Sequence, residues 1–73
     1  MTAAGGPPAS YEFRLAELLT PALRHSFADC AIREQDGVSY VTARVDATTV
    51  LDQIMERFER LGLRVVELHR LGA

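Results

Sequence analysis

The stretch AIREQDGVSYVTARV, residues 31–45, decides the fold. Asp36-Gly37 stands between two alternating runs, and this dipeptide favours a type I′ turn because both central residues need positive φ. A two-residue loop at 36–37 pairs Gln35 with Val38. Counting outward sets Arg33 opposite Tyr40, Ile32 opposite Val41, Ala31 opposite Thr42 and Cys30 opposite Ala43. Ile32, Val41, Cys30 and Ala43 then share an apolar face, while Arg33, Tyr40 and Thr42 share the other. A slip of one residue would bring Arg33 opposite Val41, so the register is well specified.

Working outward from the hairpin, YEFRLAE (11–17) also alternates, with Tyr11, Phe13 and Leu15 on one side and Glu12, Arg14 and Ala16 on the other. That is a half-buried strand. The period then changes in LTPALRHSF (19–27). Thr20 is a good N-cap, Pro21 suits the first helical position, and Leu23 and Phe27 lie on one side of a short helix. Beyond the hairpin, residues 46–62 place Val50, Leu51, Ile54, Met55, Phe58 and Leu61 on one helical stripe. Asp46, Thr48 and Thr49 compete for its N-cap. Asp52 near the start and Arg57 and Arg60 near the end match the helix dipole. Glu56 and Arg60 form an i,i+4 pair, and Gly62 is placed to end the helix with Leu63 packing back. RVVELHRL (64–71) is the last strand, expected to turn Val66 and Leu68 inward and Val65, Glu67 and His69 outward.

The order is β-α-β-β-α-β, which predicts an α+β ferredoxin-like sandwich. Its four-stranded antiparallel sheet has order 4-1-3-2, with both helices on one face. The expected domain organisation is a disordered lead-in over 1–10 and a single domain over 11–73. Residues 1–10 are mostly small residues, Gly and Pro, and hold little to bury. The lead-in is either a bare tail or an arm that orders on a partner.

Composition narrows the setting. The chain has 73 residues and a formal net charge of −2, with acids and bases interleaved. No basic block exists, so nucleic acid is not an expected partner. One cysteine, Cys30, fits a reducing compartment. The N-terminus lacks the charged and apolar regions of a secretory signal, and no apolar run approaches the roughly 18 residues of a membrane span. The expectation is a cytoplasmic protein without membrane contact.

From YEFRL through SF, the charged Gly hairpin and LDQIMERFERLGLRVVELHRL, the chain resembles a group of short actinobacterial proteins that have no assigned activity. The likeness runs over residues 11 to 71. It implies the same βαββαβ fold and a bacterial, cytosolic setting, and it assigns no site residue.

A fold of this kind hosts many functions, so the residues must decide. An iron–sulfur cluster needs four thiolates, and only Cys30 is present. A metal chaperone of this shape would carry two thiolates where LLTPAL stands. RNA recognition would need several aromatics on the central strands, and Tyr40 is alone there. An acylphosphatase-like site would need an Arg-bearing phosphate loop after the first strand. The remaining catalytic candidates are His25, Asp29, Cys30 and His69. Cys30 is expected to face the core as a small hydrophobe, and the two histidines to be solvated or interfacial. Neither catalysis, nor a metal, nor a cofactor is expected.

The outward sheet face is the remaining candidate. It is expected to carry Glu12, Arg14, Ala16, Arg33, Tyr40, Thr42, Arg44, Val65, Glu67 and His69. Tyr and Arg are residues that interfaces favour. The expectation is a small interaction or regulatory module, a homodimer formed through this face. Tyr40, Thr42, Arg14, Arg33, Arg44 and Glu67 are its contact residues, and another protein is a second possible partner. Edge-strand pairing through 29–35 or 64–70 is the competing geometry, since both sheet edges are open. The alternative function is an ACT-like regulatory domain that binds a small molecule near the first strand–helix loop. The Gly usual in that loop is missing from AELLTPAL.

Overall fold

A computed structural model describes residues 8–46 and 50–72. Its elements are β1 (Ala9–Leu15), α1 (Pro21–Ser26), β2 (Ala31–Gln35), β3 (Val38–Val45), α2 (Leu51–Arg60) and β4 (Val65–Gly72). Asp36 and Gly37 take φ of 53° and 81°, the left-handed conformations a type I′ turn requires. The β2–β3 register follows from it: Gln35 faces Val38, Arg33 faces Tyr40 and Ile32 faces Val41. All three ladders are antiparallel and the sheet order is β2-β3-β1-β4, the expected 4-1-3-2 read from the other edge.

Facing residues of an antiparallel pair share a face. Phe13 and Leu15 of β1 and Val41, Ala43 and Val45 of β3 therefore form one inner surface, and all are buried. Ile54 and Phe58 of α2 close onto it, with Phe27 at the end of α1. The Phe58 ring lies 5.0 Å from both the Phe13 and the Phe27 ring, so one aromatic side chain joins the sheet and both helices. Among the described residues, no helix is long and apolar enough to cross a membrane.

Local signals set the helix ends. The Thr20 hydroxyl accepts from the Leu23 N–H at 3.2 Å and Pro21 opens α1. Gly62 takes φ 74°; its N–H donates to the Glu59 carbonyl at 3.0 Å and the Leu63 N–H to the Phe58 carbonyl at 2.9 Å. These are the two bonds of a Schellman cap. Buried Ser39 accepts from the Leu19 N–H at 3.1 Å and pins the β1–α1 loop to the sheet. Without that hydroxyl the Leu19 N–H would be left unpaired, at about 1–3 kcal/mol.

Several bounds differ from expectation. β1 begins at Ala9, which is buried opposite Val45, so Ala9 and Ser10 belong to the sheet rather than to a lead-in. Residues 1–7 lie outside the described residues. β1 ends at Leu15 because the next backbone groups turn to the start of β4: Ala16 N–H donates to the Arg64 carbonyl at 3.1 Å. α2 starts at Leu51 with Val50 at the N-cap position and no side-chain capping bond. Asp46 therefore does not cap it, and Thr48 and Thr49 lie outside the described residues.

The phase of β4 is corrected at its start. Val65 faces Leu15 and packs on the core, where an outward position was expected. A register shift between Arg14 and Leu15 then inserts Val66 as an extra residue, 48% exposed where an inward position was expected. The bulge restores the expected phase beyond it, with Leu68 opposite Phe13 and Glu67 opposite Arg14.

Candidate functional site

The register puts every expected contact residue on the outer face. Arg14 faces Tyr40 on β3 and Glu67 on β4; Arg33 faces Tyr40 from β2; Thr42 faces Glu12, and Arg44 faces Ser10. Tyr40, on a central strand, is half-buried. The Arg33 guanidinium lies 4.1 Å from its ring centroid, a cation–π contact.

Four charges of this face pair within one subunit. Arg14 Nη1 is 3.1 Å from Glu67 Oε1, and Arg33 Nη2 is 3.2 Å from Glu12 Oε2. Arg33 also donates to the Gln35 side chain. His69 Nε2 is 3.7 Å from the same Glu67 oxygen. The hydrogen bond from Arg14 holds the Glu67 carboxyl below the usual carboxylate range and raises the guanidinium reciprocally. Such exposed pairs contribute little to stability. Their effect is on recognition, because a surface laid over them would have to desolvate charges that already have partners.

The residual catalytic candidates do not converge. His25 is exposed near the end of α1, and His69 lies on the outer face of β4. Cys30 is half-buried behind Asp29. A shallow groove of about 180 Å³ is lined there by Asp29, Cys30, Ala43, Arg44, Asp46, Ile54 and Arg57. Burial pushes the Cys30 thiol up to about 11, the Asp29 carboxylate adds to the shift, and Arg57 opposes it. A thiol held protonated at neutral pH is a poor nucleophile. Among the described residues, no three His, Cys, Asp or Glu side chains gather to hold a metal ion. At the β1–α1 loop and the first turn of α1 the Leu19 and Leu23 N–H groups are taken by Ser39 and Thr20, which leaves neither for an incoming ligand.

Residues 10–69 match a family model described as a domain of unknown function, DUF8691. The chain belongs to the DUF8691 family. The match opens in β1 and closes in β4, so it takes in part or all of every element and every ladder of this sheet. No curated protein and no solved structure matches the chain.

In this DUF8691 chain the edge through 64–70, weighed from the sequence only as the competing geometry, carries an apolar surface that sequence reasoning did not single out. Val66, Leu68 and Leu71 are 48%, 39% and 54% exposed along one edge strand. The signal was present in VVELHRL, whose apolar residues exceed what one inner face can bury. Arg57 was also passed over: its Nη2 donates to the Ser26 carbonyl at 3.1 Å and to the Asp29 carboxylate at 2.9 Å.

Proposed function

We propose that the protein is a non-catalytic interaction module with a ferredoxin-like sandwich, working in the bacterial cytoplasm by self-association through its sheet. The observation that carries this reading is the gathering of three large exposed apolar side chains, Val66, Leu68 and Leu71, on one strand of a very small domain. A chain of this size buries only about 60% of the surface its unfolded form exposes, and a second copy is a common source of added burial. The open face around Tyr40 supplies the polar surroundings. Arg14, Glu67, Arg33 and Glu12 already pair inside one subunit, which favours a route along the sheet edge over the face-to-face route.

Light scattering coupled to size exclusion tests the reading. A dimer mass at tens to hundreds of micromolar is the expected result. A monomer throughout that range rejects self-association.

A further inference from the structure

The two edges of the sheet are unlike. β2 is five residues long and presents Arg33, Glu34 and Gln35. Its Glu34 carboxylate is also tied to Arg24 of α1 at 2.7 Å. Short, charged edges of this kind resist pairing with another chain. β4 is eight residues long, has neither Pro nor Lys, pairs among the described residues only with β1, and carries the exposed Val66, Leu68 and Leu71. Both edges carry charges and β4 is interrupted by two bulges, but β4 is the longer and the more apolar of the two.

We propose that two copies pair antiparallel along β4 about a two-fold axis through Leu68, making one continuous sheet from both subunits. This rests on the self-association reading above and adds its geometry. In a two-fold antiparallel pair, facing positions have residue numbers with a constant sum, and facing side chains must share a face. The axis therefore passes through a residue. With the axis at Glu67, two carboxylates are set directly against each other. With the axis at His69, an apolar Leu68 is set against a charged Arg70. With the axis at Leu68, Leu68 meets the partner's Leu68 on the helix side, and Glu67 meets the partner's His69 on the outer side.

That last register alone sets apolar on apolar and acid on base. Within one subunit Glu67 and His69 already stand side by side, 3.7 Å apart, with Arg14 3.1 Å from Glu67. Pairing would bring two such couples together as a square in which each Glu67 carboxylate accepts beside two imidazoles, backed by an Arg14 at each end. The register shifts on either side bound the regular ladder to Glu67–Arg70, so the backbone seam is short.

Cysteine cross-linking in the full chain tests the geometry. Cys30 is first replaced (Cys30→Ser), so that each variant carries one thiol. In the Leu68→Cys variant the two thiols face each other at the axis, where facing Cα atoms lie roughly 4.5–5.5 Å apart, inside the disulfide range. Mild oxidation should convert it to a covalent dimer, several-fold faster than Glu67→Cys, His69→Cys or Tyr40→Cys. In a chain with its native Cys30, Leu68→Lys should shift light scattering from dimer to monomer while the circular dichroism spectrum is kept. A dimer by light scattering that cross-links fastest at 67, 69 or 40 overturns the register or the edge and leaves self-association standing. A dimer that survives Leu68→Lys does the same. A parent chain that is monomeric throughout removes both.

Discussion

Cys30 shows how strongly one side chain's chemistry depends on its neighbours. Its thiol is drawn up from an ordinary value of 9.0 to about 11, first by burial and then by the Asp29 carboxylate. A pH–rate profile of iodoacetamide alkylation should therefore give an apparent pKa well above that of a free thiol. Asp29→Asn should lower it only part of the way, because burial is the larger cause. A profile centred on the ordinary value would show that the thiol is freely solvated. The same shift has a consequence for stability. The folded state holds this proton more tightly than the unfolded state, so the contribution is fully present below about pH 9 and is lost as the pH rises towards 11. Replacing Cys30 by Ser should flatten that alkaline limb in urea titrations.

Among the elements, α1 is too short to hold its end alone, and Arg57 of α2 holds it from outside. The guanidinium binds the Ser26 carbonyl and the Asp29 carboxylate and lies 4.9 Å from the Phe27 ring centroid. Arg57→Ala should cost about 1–2 kcal/mol in urea unfolding. Arg57→Lys should recover only part, because an ammonium can donate to the two acceptors but cannot lie flat on the Phe27 ring. Full recovery by Lys would reduce Arg57 to a plain charge. In the sequence Arg57 read as a cation suited to the C-terminal half of a helix. Its acceptors lie 28 and 31 positions away, and no local pattern announces a bond across that distance. What was legible was local: the Asp36-Gly37 turn with its register, the Thr20-Pro21 start, the helical stripe and the Gly62 stop. The phase of β4 failed at Val65-Val66 for the same reason. Two adjacent valines fit either face, and the bulge that chooses is set by pairing with Leu15 on a distant strand. Ser39 sat visibly in the inner phase of β3 as a lone polar residue, but its partner Leu19 could not be named without the fold.

At the scale of the whole molecule, the surface is divided between a charge-paired face and an apolar edge. Tyr40→Glu tests which of them associates. The substitution removes the ring beneath Arg33, an exposed cation–π contact worth about 0.5–1 kcal/mol. It should lower the melting temperature slightly and leave the mass by light scattering unchanged. Dissociation by Tyr40→Glu with the fold intact would return the contact to the open face, where the sequence had placed it. Edge pairing also fixes copy number. Once two β4 strands are joined, the outer edges of the combined sheet are both β2 strands, each bearing Arg33 and Glu34, and growth stops at two rather than running on as a fibre.

The strand order β2-β3-β1-β4 also governs the sequence of folding events. The hairpin and α2 need only neighbours along the chain, but β1 sits in the middle of the sheet with one side kept for β4. Arg14 and Glu67 stand 53 positions apart. Until residues 65–72 arrive, a chain leaving the ribosome holds β1 with one backbone edge unpaired. The closure that seals it is the longest loop of the fold and the slowest contact to gain. Until it closes, β1 with its Phe13 and Leu15 is the segment most open to mispairing.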